Sequence, residues 1–116
     1  MTLFVPSVDR HGAPIDQTAL VEFALRSFGL LFRGATAFPP GRGVWRDDEA
    51  EGELVFDDTT MVLSYIDPAI LEDDSMIEGL RRFLHSFGRR ANQGEVGVVI
   101  GAQYFGIQNY DEEEQE

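Results

Sequence analysis

Apolar residues recur along this chain with two different periods, and the switching between them sketches a fold. Leu3 to Pro6 is a short apolar run with a β-branched residue, closed by proline, and predicts a first strand. The stretch "DRHGAP", Asp9 to Pro14, gathers Asp, Gly and Pro and predicts a turn. Asp16 follows as a helix N-cap. Leu20, Ala24, Phe28 and Leu31 then recur at helical spacing, with Val21, Leu25 and Phe32 beside them, so a helix is expected from Gln17 to Phe32. Gly34 to Phe38 predicts another strand, ended by Pro39 and Pro40, which cannot donate to a ladder.

The period of two returns in Leu54 to Phe56, with Asp57 and Asp58 expected to close a tight turn. "TTMVLSYI", Thr59 to Ile66, carries no charge and is rich in β-branched and aromatic residues, as a central strand should be. Asp73 or Asp74 caps a second helix. Its apolar row is Met76, Leu80, Phe83 and Phe87, continued by Arg90, with Ile77, Leu84 and Ala91 alongside. Gly88 and Asn92 to Gly94 mark its end. Val96 to Ile100 and Gln103 to Ile107 are expected to form a last strand or a bent pair, interrupted by Gly101 as a bulge.

The order is βαββαβ with a hairpin inserted before the third core strand. The economical solution is an α+β, ferredoxin-like sandwich: an antiparallel sheet with two helices on one face. Residues 1–110 form one domain, and the like-charge run "DEEEQE" at 111–116 is expected to be a disordered tail.

Composition narrows the functional classes. Of 116 residues, 43% are hydrophobic, nine of them Phe, which is enough for a core. No apolar run approaches the ~20 residues that span a bilayer. The N-terminal "MTLFVPSVDRHG" lacks the basic and long apolar regions of a signal peptide. Cysteine is absent, which removes disulfides, thiolate metal ligands and thiol nucleophiles. These features fit a cytoplasmic bacterial or phage protein. The net charge of −12 repels phosphate backbones and anionic membranes, so neither nucleic acid nor membrane is an expected partner. All nine bases are arginine. Codon bias explains that, and so does a need for planar, two-pronged contacts that lysine cannot make.

Few residues offer chemistry. "RGATAFPPGRGVWRDD", Arg33 to Asp48, has the glycines of a phosphate loop but no following helix, and its prolines remove donors. It reads as a strand, a turn and a return in which Trp45 packs on the sheet, or as a rim that touches a ligand. His11 and His85 lack a partner at ligand spacing, so no metal is expected, and no cofactor is implied. Tyr65, His85, Glu95 and Tyr104 are the weak catalytic candidates; they converge as acid/base groups only if the two tyrosines share a sheet face. The alternative is cross-strand aromatic pairing with hydrogen-bonded polar tips. Arg81, Arg82, His85 and Arg89 form a basic strip on the second helix, either a solvated face or a dock for an anion or an acidic partner.

Gly34, Ala35 and Thr36, followed by Gly43-Val44-Trp45, a polar turn, the apolar strand and "NQGEVGVVIG", resemble a group of small bacterial domains of unknown function. That resemblance supports the fold and implies no activity.

The leading functional expectation is a non-enzymatic interaction module. "TTMVLSYI" and "GVVIGAQYFGI" show little polar alternation, so both sheet faces should be covered, while two helices cover only one. Trp45, Met61, Leu63 and Tyr104 would form the interface to a protein partner, most simply a second copy in a homodimer. One alternative is a small cofactor-independent enzyme with its pocket enclosed by a dimeric α+β barrel. Another is an acidic inhibitor that mimics nucleic-acid charge.

Overall fold

The computed structural model of this chain describes residues 1–108 and 110. Six strands and two α-helices follow in the order β1 (Thr2–Val5), α1 (Gln17–Phe32), β2 (Thr36–Ala37), β3 (Gly41–Asp47), β4 (Glu53–Leu63), α2 (Asp74–Ala91), β5 (Val96–Ile100) and β6 (Gln103–Ile107). The strands run β2-β4-β1-β5-β6 across the sheet, and β3 pairs with the outer half of β4. Every pairing is antiparallel. This is the ferredoxin-like α+β arrangement, extended by β6 at one edge and by the β3–β4 hairpin. The tail expected at 111–116 lies outside the described residues.

Helix termini follow local chemistry. The Asp16 carboxylate accepts the Ala19 N–H at 3.0 Å and starts α1. Asp73 accepts the N–H groups of Ser75 and Met76 and starts α2, and the Ser75 hydroxyl joins them at 2.7 Å. Those bonds hold the Asp73 carboxyl below its ordinary range, the Ser75 hydroxyl contributing most. Asn92, in the left-handed region at φ 49°, stops α2. Gly88 was expected to mark that end, yet it lies inside the helix. Its missing Cβ leaves the space in which the Tyr110 ring sits, and the Tyr110 hydroxyl donates to the Gln93 carbonyl at 3.0 Å.

Both helices cover one face of the sheet. Leu3 and Val5 of β1, Val62 of β4 and Val96 and Val98 of β5 are buried there against Ala24 and Phe28 of α1 and Phe83 and Phe87 of α2. Phe28 and Phe83 stand 4.8 Å apart between ring centroids, with Phe23 and Phe87 at 5.2 and 5.8 Å from Phe83. The Arg90 guanidinium stacks 3.9 Å over the Phe23 ring.

Two expectations give way. Asp57 and Asp58 are not a turn: β4 runs unbroken through them, so Leu54–Phe56 and Thr59–Leu63 are one strand. The Asp57 carboxylate, buried despite its charge, is held by the backbone N–H of Ser7 at 3.1 Å and by the Ser7 hydroxyl, while Asp58 faces Arg42 across the ladder at 3.7 Å. Gly101 is not a bulge. With φ 64° it turns the β5–β6 hairpin, in which Ile100 faces Gln103.

The register assigns opposite faces to neighbours in β4. Val62 opposes Leu3 and is fully buried, whereas Met61 opposes Phe4 on the helix-free face and is 43% exposed. Val62→Glu should therefore leave no folded protein by circular dichroism, and Met61→Glu should fold. Phe83→Ala should cost about 3–5 kcal/mol in chemical denaturation. That is a large share of the ~5–15 kcal/mol available to a domain of this size.

A candidate active site on the open face of the sheet

The helix-free face is hollow at one end. β4 continues past the sheet into its hairpin with β3, and that hairpin carries Trp45 back to Phe4 of β1, edge to face at 6.2 Å between centroids. Between this hairpin and the β5–β6 hairpin lies a pocket of about 460 Å³. Phe4, Trp45 and Tyr104 supply its aromatic wall, and Pro6, Val8 and Val55 its remaining apolar surface. The size is that of a small-molecule site, since such pockets span ~300–1,000 Å³.

A pair of facing glycines shapes the floor. Gly97 of β5 opposes Gly106 of β6. A side chain on Gly97 would meet the Tyr104 hydroxyl at 2.8 Å, and one on Gly106 would meet the Glu95 carboxyl. The tyrosine thus lies across one bare backbone and the glutamate across the other. They join above the strands: the Tyr104 hydroxyl donates to Glu95 Oε2 at 2.7 Å, and the Gln108 amide donates to Oε1 at 2.7 Å. Partial burial, then the hydrogen bond and the charge of Glu95, push the Tyr104 phenol far above its usual range. It is therefore a fixed donor and not a base.

The polar lining is strongly acidic. Among the described residues, Asp9, Asp47, Asp48, Glu49, Asp57 and Glu95 line the pocket against a single cation, Arg46. Asp9 accepts the backbone N–H groups of Ala13 and His11 at 3.0 and 2.8 Å, and these bonds hold its carboxyl below the ordinary range. Thr59 also lines the pocket, and its hydroxyl is buried with no hydrogen-bond partner among the described residues. Among those residues no group of three or more His, Asp or Glu is placed to hold a metal ion.

The four catalytic candidates separate into one pair and two outliers. Glu95 and Tyr104 meet in the pocket. Tyr65 is 87% exposed and borders a shallow hollow with Phe32 and Arg33 instead, because β4 ends at Leu63 before reaching it. His85 lies on α2, across the sheet, with its ring 6.0 Å from that of Tyr110. Of the expected interface residues, Trp45 and Tyr104 line the pocket; Met61 and Leu63 share the open face outside it. Arg81, Arg82, His85 and Arg89 all lie on α2, on the helix side of the sheet, where Glu78 pairs with Arg81 at 3.3 Å and with Arg82 at 3.5 Å. Sequence reasoning missed Phe4, Asp57, Thr59 and Gln108. The available signal was two glycines inside strands, Gly97 and Gly106, each near a residue able to lie over it.

Among the described residues, no helix is long and apolar enough to cross a membrane. No protein-family model and no curated protein matches the chain. Two solved structures do. One, a phage SAM lyase in complex with S-methyl-5′-thioadenosine, is 15% identical with a TM-score of 0.67 over 93% of this chain and 87% of that one. The other, phage SAM lyase in the apo state, is 17% identical with a TM-score of 0.59 over 93% and 86%. At such identities the likeness establishes the fold, and the fold is one that an enzyme uses. The expected non-enzymatic module, joined to a partner through a flat apolar sheet face, is corrected by this finding. That face carries a concave, acid-lined pocket where an apolar contact surface was expected. The charge-mimic alternative gives way to the same likeness. The chain has the architecture of phage SAM lyase.

Proposed function

We propose that this chain is an enzyme that binds S-adenosylmethionine in the open-face pocket and cleaves it as a lyase, releasing S-methyl-5′-thioadenosine. The observation that carries the reading is the combination of an aromatic wall and an acidic lining in a pocket of about 460 Å³, within this fold.

The substrate is a sulfonium cation and the thioether product is neutral. Forming S-methyl-5′-thioadenosine requires breaking the bond between the sulfur and the amino-acid chain, with the bonding pair left on sulfur; the carbon so released takes a pair from its own chain's carboxylate oxygen, closing a lactone, so that no water is consumed and atoms and charge balance. Aromatic faces and carboxylates both stabilise the cation. Phe4, Trp45 and Tyr104 offer ring faces for the sulfonium and the adenine. Glu95 is the carboxylate whose orientation is best defined, because Tyr104 and Gln108 hold its two oxygens separately. Its charge attracts the sulfonium before reaction and loses that attraction once the product forms, which favours release.

Incubation with S-adenosylmethionine should yield S-methyl-5′-thioadenosine, measured by liquid chromatography and mass spectrometry. Absence of both product formation and nucleoside binding would sink the reading. Glu95→Gln should lower turnover at least about tenfold, equivalent to ~1.4 kcal/mol of barrier. Gly106→Ala should reproduce that defect with little change in melting temperature. The added methyl displaces the Glu95 carboxyl, which lies at the end of a flexible side chain.

A further inference from the structure

Among the described residues, Arg46 is the one cation in a pocket lining whose other charged groups are acids. It sits near the end of β3, and its guanidinium grips the carboxylate of Asp48 with both prongs: Nε to Oδ1 at 2.5 Å and Nη2 to Oδ2 at 3.3 Å. The local fold presents this pair. Asp47 caps the short 3-10 turn Asp48–Ala50 by accepting the N–H groups of Glu49 and Ala50 at 3.1 and 3.3 Å. Glu51 and Gly52, both at positive φ, then return the chain into β4. Asp48 is thereby folded back onto Arg46, two residues before it. Both side chains remain 70% exposed. An ion pair so exposed is weak and exchangeable.

We propose that Arg46 is the residue that recognises the α-carboxylate of the substrate's amino-acid chain, and that Asp48 is a resident placeholder that the substrate carboxylate displaces. The inference rests on the reading of the pocket as a site for an adenosyl sulfonium compound. It adds what that reading leaves open, namely how a pocket lined by six carboxylates accepts a ligand that carries another. A planar two-pronged guanidinium matches a carboxylate in both charge and geometry. The surrounding acids remain to receive the α-ammonium and the sulfonium. The product has neither the carboxylate nor the ammonium, so Arg46 separates substrate from product, and product release returns the guanidinium to Asp48.

Three probes divide these contributions by isothermal titration calorimetry. S-Methyl-5′-thioadenosine has neither carboxylate nor sulfonium, S-adenosylhomocysteine has the carboxylate without the sulfonium, and S-adenosylmethionine has both. Arg46→Gln should weaken S-adenosylhomocysteine at least tenfold and raise the KM for S-adenosylmethionine similarly. Its affinity for S-methyl-5′-thioadenosine should stay within twofold of wild type. Asp48→Asn, which frees the guanidinium, should tighten S-adenosylhomocysteine several-fold and leave S-methyl-5′-thioadenosine unchanged. Equal weakening of all three ligands by Arg46→Gln would make Arg46 a support of the hairpin and overturn the proposal. Unchanged binding of S-adenosylhomocysteine would overturn it too, and both outcomes leave the pocket reading standing. A wild-type protein that binds none of the three would remove the pocket reading, and this proposal with it.

Discussion

The site depends on a buried carboxylate in the middle of a strand. Asp57 stands where β4 leaves the helix-covered sheet and becomes half of an exposed hairpin. A charge at that depth is tolerable only when its oxygens are hydrogen-bonded. Ser7, the residue that ends the first stretch of chain after β1, provides its backbone N–H and its hydroxyl to one oxygen. The same hydroxyl oxygen accepts the Asp58 N–H at 3.4 Å. This link ties β4 to the chain leaving β1, and β1 is its neighbour in the sheet. Continuity of β4 fixes where β3 lies, because β3 pairs residue by residue from Gly41 opposite Thr59 to Asp47 opposite Glu53. The placement of Trp45 over Phe4, and of Arg46 at the pocket, follows from that register.

That dependence also explains what the sequence made legible. The first helix was readable to the residue and the second in its start and its buried row, because their signals are local: a carboxylate cap at Asp16 or Asp73 and an apolar stripe of period 3.6; the end of the second was blurred by Gly88, which lies inside it. The fold class was readable from the succession of elements, since short connections and antiparallel pairing leave few alternatives. Asp57 and Asp58 misled because local propensity assigns such a pair to a turn, while the partner that keeps Asp57 in the strand is 50 residues away in sequence. Gly101 misled in the opposite sense, as a turn glycine read as a bulge.

The site was half legible for a similar reason. Glu95 and Tyr104 could be named as candidates from residue type, but their convergence needed the β5–β6 register that sets Gly97 against Gly106. His85 and Tyr65 had the same chemical credentials and end up elsewhere, because α2 packs on the far face and β4 stops at Leu63. Phe4 and Thr59 carry no chemical signature in sequence. They become relevant only because alternate residues of β1 and β4 point to opposite faces, so Phe4 and Thr59, beside the buried Val5 and Thr60, line the pocket.

The excess of acid over base takes on a specific meaning in this setting. A net charge of −12 says only that anionic partners are disfavoured. Gathered around one concavity, the carboxylates add their fields at the point where a ligand cation would sit, which scattered surface charges do not. The same field opposes any anionic group of the ligand. A ligand that carries both signs must therefore be met by a cation placed at one point, not by a general reduction in acidity. Arginine suits that point better than lysine, because its charge is spread over a rigid fork that a carboxylate can occupy with both oxygens. The β3–β4 hairpin supplies such a fork in Arg46, next to the aromatic side chain of Trp45 that it follows in sequence. Adjacent residues of a strand project to opposite faces. Trp45 therefore forms the wall, and Arg46, whose guanidinium turns onto Asp48 just past the strand end, meets the pocket only at its rim, so that one short strand sets both the apolar and the ionic limits of what can bind.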